Sequence, residues 1–530
     1  MQSRIPVFAA IAAATALVIS ACTGGGGGGG DAADESPVRG GSITIGVDAE
    51  TPGWYPPNGL IGAAGRIVNR LIYGSLTAGT PDGSYQPYLA ESVTPNDDFT
   101  EWTIALREGM TFQDGSAFDS EAVKASMEAV IDPESAVGAS FGWVTGIDAP
   151  DPETVVITAD APRATVPQVL SGPLGQIVSK EAVDAIGVDA FNSAPVGAGP
   201  YKMTEWVRDD HLTLEKVPDF FQDDIGWADE IIIKPIPDAA ARAAALSAGD
   251  IDVTFTGVPT DIEAFKNDAS VTVNEVPLGV DMFFMNGAKA PFDDIRIREA
   301  VTIGVDRDEL TTLVWGGIGK PATGPFQSDN PFYDSSLPAI GYDVDAATKL
   351  VDEYKEDKGL TEVSVVLTNY PGQDILDAAM KSQLEKIGLT VEVRPASDAN
   401  AHNIEMIQGD FDLGGFTFPG FLDPDYEVTR FFPSDSFLNV NRIMSPELDA
   451  AIVAGRSTTD FDERKAAYDT VQEVVTQNYA GLYLHEFTFG IVSRSDIGGY
   501  GQGTVPGSDA RTLGEYYSPI LGDELFRRAG

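Results

Sequence analysis

The chain has one cysteine, Cys22, in 530 residues, and three histidines, His211, His402 and His485. A single thiol forms no internal disulfide, and so few Cys and His side chains argue against a zinc-type metal site. Positive charge is scarce too: 34 Lys and Arg stand against 81 Asp and Glu, a formal net charge of −47. Such a chain lacks the basic face that nucleic acid requires and is repelled by anionic lipid. The carboxylates read as a solvated surface and say little about what is bound. Past the N-terminus, no apolar run is long enough to span a bilayer.

Catalytic signatures are missing as well. Gly316-Gly317-Ile318-Gly319-Lys320 suggests a phosphate loop, but Val314 holds the first glycine position and Pro321 follows the lysine. His485-Glu486 begins like a zinc-protease helix, yet Phe489 stands where the second histidine belongs. No Gly-x-Ser-x-Gly elbow occurs. Carboxylate pairs of glycosidase type arise by chance among so many acids. These absences predict a protein without catalytic residues, metal or cofactor.

What is present begins with Arg4 and the apolar stretch Val7 to Ile19, which ends in Ile19-Ser20-Ala21-Cys22. It is too short for a comfortable membrane span and reads as an export signal. Its last four residues resemble the lipobox of bacterial lipoproteins, in which the cysteine is lipid-modified and starts the mature chain. The resemblance implies a signal over 1–22 and lipidation at Cys22; an ordinary cleaved signal is the alternative. Gly24 to Gly30 is unbroken glycine followed by a polar stretch, so 23–39 reads as a flexible tether. The expected location is outside the cytoplasm, on the outer face of the cell membrane. Where an outer membrane exists, that is the periplasmic space.

Residues 40–530 are too many for one simple domain. Ser42 to Val47 alternates as a strand, and Asp119 is placed to cap a helix reaching Ile131. Val363, Val365 and Leu367, then a helical pattern, then Leu389, Val391 and Val393 predict a strand–helix–strand unit with a parallel pair. Helices alternate with strands throughout, so the class is α/β. Ala248-Gly249-Asp250-Ile251-Asp252 and Gln408-Gly409-Asp410-Phe411-Asp412 share Gly-Asp-x-Asp between a helix and a strand. This echo suggests similar helix exits in two lobes.

Midway, "NSAPVGAGPYKMTEW" (Asn192 to Trp206) packs two prolines and two glycines before a strand. Pro195 and Pro200 fix φ, while Gly197 and Gly199 permit left-handed or tight backbone, with Tyr201 opening the strand. The stretch resembles a motif of the large extracytoplasmic solute-binding proteins of peptide/nickel-type ABC importers (family 5, cluster C). "QPYLAESV" (Gln86–Val93), "WTIALREGMTFQDGSAFDSEAVKASM" (Trp102–Met127), "FMNGAKAPFDDIRIREAVTIGVDRDEL" (Phe284–Leu310) and "QLEKIGLTVEV" (Gln383–Val393) match that family in order. The resemblance covers essentially all of 40–530.

It implies a periplasmic-binding-protein type II-like fold: two α/β lobes, an additional inserted domain and an interlobe ligand cleft. Approximate bounds are lobe I at 40–85, 195–278 and 486–530, lobe II at 86–194 and lobe III at 279–485. The Pro195–Tyr201 motif is read as a hinge joint between lobes. The implied function is a monomeric, lipid-anchored receptor that captures a small-molecule solute and delivers it to an ABC permease with ATPase subunits. An oligopeptide, a modified peptide and an oligosaccharide are the solutes considered. A secreted hydrolase of glycans or peptides, or a ligand-sensing receptor on the same fold, are the competing readings.

Peptide-binding members place an aspartate where "GGFTFPGFLDPDY" (Gly414–Tyr426) has Gly420, and a tryptophan where it has Thr417. The counter-charge for a peptide ammonium is therefore missing there, with Asp423 or Asp425 as substitutes. Phe416, Phe418 and Phe421 are candidate aromatic walls or core residues. By family position, further cleft candidates are Thr51, Trp54, Tyr55, Phe141, Trp143, Tyr483 and His485. Asp293, Arg296 and Arg298 read as an ion-pair and capping cluster.

Overall fold

The computed structural model describes residues 36–58, 62–135, 137–397, 399–420, 422–436, 438–512 and 520–529. Cys22, the signal, the tether up to residue 35 and Phe421 lie outside the described residues.

A ten-stranded sheet forms the spine of the molecule. From one edge its strands are Thr390–Val393, Ser364–Thr368, Leu413–Pro419, Val271–Met285, Gly481–Arg494, Val253–Thr256, Ser42–Val47, Glu230–Pro235, His211–Lys216 and Tyr201–Val207. Val271–Met285 and Gly481–Arg494 have 15 and 14 residues and pair antiparallel along their length. At about 3.3 Å per residue, each runs for roughly 45 Å, far beyond an ordinary strand. At one end Val253–Thr256 pairs with Gly490–Ser493, and at the other Leu413–Pro419 pairs with Gly279–Met285. The two long strands thus carry the chain between two α/β layers.

Their register shifts between Pro277 and Gly279 and between Asp281 and Met282. Pro277 gives no N–H to the ladder. Gly279 has φ +139, and a Cβ there would lie 1.9 Å from the Phe418 carbonyl oxygen. Only glycine fits this bend. A separate four-stranded antiparallel sheet, spanning Ala90 to Ala159, packs elsewhere.

Four large hydrophobic cores follow. The first gathers Ile43 to Tyr73, the strands from Tyr201 to Val276, and Ile491 to Leu525. The second surrounds the four-stranded sheet, from Tyr88 to Ile177, and also draws in Leu76, Ala78, Ala198 and Ile225. The third and fourth lie on opposite sides of the Met282–Met285 stretch, where buried side chains alternate: Phe283 and Met285 join the third, Met282 and Phe284 the fourth.

The Gly-Asp-x-Asp echo has a common structural basis. Gly249 and Gly409 both take φ +79 as their helices end. Asp250 N–H returns to the Ala245 carbonyl and Asp410 N–H to that of Glu405, each 2.9 Å. The second aspartate then accepts from a neighbouring strand: Thr44 N–H to Asp252 at 2.9 Å, and Val366 N–H to Asp412 at 2.8 Å. Ser364–Thr368 and Thr390–Val393 are parallel. Asp119 caps its helix through the Ala122 N–H. In the 293–298 cluster the cap is Asp294 instead of Asp293, and Arg296 bonds Asp294 and Asp357.

The stretch from Pro195 to Tyr201 connects the second core to the first. Its glycines answer to close approach, not left-handed backbone, since neither appears among the positive-φ residues. A Cβ on Gly197 would lie 2.3 Å from the Ile72 oxygen, and one on Gly199 2.5 Å from that of Leu71. Gln113 holds the stretch: its Nε2 donates to the carbonyls of Ile72, Gly199 and Tyr201, and its Oε1 accepts from Gly197 N–H. Tyr201 is fully buried, its hydroxyl donating to the Ala228 carbonyl.

Candidate functional site

Beside the kinked crossing of the long strands lies a cavity of about 310 Å³, walled by Asp281, Trp315, Tyr370, Phe416, Thr417 and Phe487. It adjoins a second of about 500 Å³ that shares Tyr370, Phe416, Thr417 and Phe487 and adds Arg66, Glu427 and Arg430. The walls come from both sheet ends: Arg66 belongs to the helix Ala63–Tyr73 under the first core, Glu427 and Arg430 to Asp425–Phe431 beside the fourth. The linings of these cavities thus draw on both halves of the molecule. A third cavity, about 620 Å³, shares only Arg430 and Leu438 with the second and lies to one side.

Asp281 is the distinctive group. Its partly buried carboxylate accepts a 2.8 Å hydrogen bond from Thr417 Oγ1, and among the described residues it has no ion-pair partner. Burial raises its pKa to about 6, opposed only by that hydrogen bond. It sits one residue before a register shift and opposite both Thr417 and His485. In the second cavity, burial raises the pKa of Glu427, while Arg430 and then Arg66 pull it back. Arg430 bonds Glu427 at 3.2 Å.

The residues named from sequence divide into wall and scaffold. Phe416 and Thr417 line both adjoining cavities. Phe418 is buried and stacks on Phe432 in the fourth core, and Tyr483 is buried in that core too. Gly420 has no room for a side chain, because a Cβ would meet Gln327 Oε1 at 2.7 Å and Gly279 N at 2.8 Å. Neither substitute acid is free. Asp423 takes both Arg464 nitrogens at 2.7 Å, and Asp425 accepts from Thr165 and from Tyr468.

Trp54 and Tyr55 pack edge-on against Trp206 and Phe191 in the first core. Thr51 is buried, its hydroxyl donating to the Gly53 carbonyl. Phe141 is buried in the second core, whereas Trp143 also lines the third cavity. His485 stacks on Trp315 at 4.2 Å, and its Nε2–H donates to the Ile318 carbonyl. Burial lowers its pKa, which keeps it neutral near pH 7.

Sequence reading missed Asp281, Tyr370, Phe487 and Trp315. A signal existed for Asp281, a lone acid within Val280-Asp281-Met282-Phe283-Phe284-Met285. Among the described residues no cluster of three or more His, Cys, Asp and Glu is placed to hold a metal. No described helix is long and apolar enough to cross a membrane.

A sheet shared by two α/β layers, with paired crossings and a cleft beside them, defines a type II periplasmic-binding-protein architecture. Solved structures share this fold. DppA from Helicobacter pylori, in complex with the peptide STSA, has a TM-score of 0.79 at 19% identity, covering 93% of this chain and 99% of that one. AgaA from A. tumefaciens R10, in complex with agropinic acid, also has 0.79 at 22% identity, covering 92% and 99%.

The sequence profile of the bacterial extracellular solute-binding proteins, family 5 (middle region), matches residues 84–438, and the chain belongs to this family. It is 29% identical over 425 residues to the probable D,D-dipeptide-binding periplasmic protein DdpA of Escherichia coli (strain K12), covering 78% of this chain and 81% of that protein. It is 26% identical over 450 residues to the glutathione-binding protein GsiB of Salmonella paratyphi A, covering 82% and 86%. These relatives are binding proteins, so the hydrolase reading is set aside.

Proposed function

We propose that the chain is the solute receptor of an ABC importer, that its solute is peptide-like, and that a cationic amine of the solute docks on Asp281. The observation carrying this reading is the unpaired Asp281 carboxylate in an aromatic-walled cavity at the strand crossing. A desolvated carboxylate without a counter-charge is costly, and an ammonium relieves that cost. Asp281 would then supply the charge that Gly420 cannot. Peptide binding by DppA and the dipeptide and glutathione named for DdpA and GsiB support the solute class. An oligosaccharide is the second reading, favoured by the stacking surfaces of Phe416 and Phe487.

Solute touching both halves would favour their approach by its differential affinity. The bends at Pro277–Gly279 suit such closure better than the clamped Pro195–Tyr201 joint. The proposed lobes are 40–85 with 195–278 and 486–530, then 86–194, then 279–485. A lipid on Cys22 would hold the monomeric receptor beside its permease and raise their effective concentration. A thermal-shift screen of the purified protein against di- to pentapeptides, oligosaccharides and nickel chelates tests the solute class. Peptides that stabilise wild type but not Asp281→Asn support the reading. Stabilisation by sugars alone overturns it.

A further inference from the structure

The third cavity, about 620 Å³, lies between the second and fourth cores. Two arginines in its wall stand apart from the rest. Arg163 is 8% exposed, its guanidinium lies 4.4 Å over the Trp143 ring, and its Nε has no hydrogen-bond partner. Arg456 likewise has a buried Nε without a partner. Among the described residues no carboxylate forms an ion pair with either guanidinium. Nearby arginines are satisfied differently: Arg464 grips Asp423, and Arg430 bonds Glu427.

Among the described residues, the acids around this cavity attract Arg163 (Asp425 and Asp160) without forming an ion pair with either guanidinium. Asp425 is engaged by Thr165 and Tyr468, and Asp449 accepts the Ser434 N–H. Asp160 and Asp435 are exposed at the rim. A buried guanidinium beside a like charge is unfavourable unless an anion joins it. Planar guanidinium forks match carboxylate and phosphate oxygens, and the Trp143 face holds one fork in place.

We propose that this cavity is a second binding site, for a small organic or inorganic anion whose carboxylate or phosphate group bridges Arg163 and Arg456. Burial, and next the like charge of Arg456, pull Arg163 down to about 10 against the attraction of Asp425 and Asp160, so it remains protonated at neutral pH. The exposed rim acids favour a compact anionic group over a polyanion. This site does not depend on the reading of Asp281.

The test is thermal unfolding of the purified protein with 10 mM inorganic phosphate or succinate, each against sodium chloride of equal ionic strength. Wild type is expected to gain at least about 2 °C from one or both anions, with the stronger identifying the preferred group. Arg163→Gln and Arg456→Gln lose the gain, whereas Asp281→Asn keeps it. Without added anion, Arg163→Gln melts no lower than wild type, because it removes an unpaired buried charge. If Arg163→Gln does not fold, the less buried Arg456→Gln decides the matter. A wild-type shift equal to that in chloride, or one undiminished in the arginine variants, overturns the proposal.

Discussion

Thr417 Oγ1 donates a 2.8 Å hydrogen bond to the carboxylate of Asp281, its direct neighbour across the strands Leu413–Pro419 and Val271–Met285. The bond aims one oxygen and leaves the carboxylate facing a cavity that no Lys or Arg among the described residues lines. Removing one partner of a desolvated charge pair costs about 2–5 kcal/mol. Asp281→Asn is therefore expected to weaken binding of an amine-bearing solute by about 30-fold or more in calorimetric titration. Thr417→Val, which removes a single hydrogen bond, weakens it by about tenfold. Equal affinity in Asp281→Asn and wild type would sink the assignment.

Binding also acquires a pH dependence. The folded pKa of Asp281, about 6, lies above the ordinary value of 3.8 because burial disfavours the charge. Its contribution to stability is full below about 3.8 and is lost as pH rises through about 6. Affinity for a cation runs the other way, since only the carboxylate attracts it. The solute affinity is expected to rise from pH 5 to pH 7 and then level, and Asp281→Asn flattens the profile. An unchanged dissociation constant across that window in wild type contradicts the assignment.

Restoring an acid at residue 420 is expected to damage the protein. Any Cβ at Gly420 meets Gly279 N at 2.8 Å, on the strand that crosses between the halves. Overpacking of this kind costs about 1–3 kcal/mol. Gly420→Asp should melt several degrees lower than wild type and bind no peptide more tightly. Tighter peptide binding at unchanged melting temperature would show that the site accommodates the family aspartate after all.

Much of the architecture was legible because motifs and periodicity report backbone requirements. The Gly-Asp-x-Asp echo predicted like helix exits, and both prove to use a left-handed glycine and an aspartate bonded to the next strand. The site was harder to read. Trp54, Tyr55 and Phe141 are aromatic for packing, and nothing local separates a core ring from a wall ring. Phe416 and Phe418 lie two apart on one strand, yet only the first lines the adjoining cavities. Tyr370, Phe487 and Asp281 are distant in sequence and meet only through the long crossings. The charge for a solute amine was sought near Gly420, in sequence proximity, whereas the proposed one, Asp281, lies opposite Thr417 on the neighbouring strand.

Asp423 separates stability from binding. Arg464 meets both of its oxygens at 2.7 Å, and both side chains are largely buried. Breaking a buried pair by removing one member strands the other charge, at about 3–5 kcal/mol. Arg464→Met is expected to lower the denaturant midpoint substantially without changing the solute affinity of the folded fraction. Asp423→Asn in the same chain then restores part of the loss, because the stranded carboxylate is gone. If Asp423 instead held the solute amine, Asp423→Asn would abolish binding in protein that is still folded. Denaturant titration paired with calorimetry on the same preparations distinguishes the two outcomes.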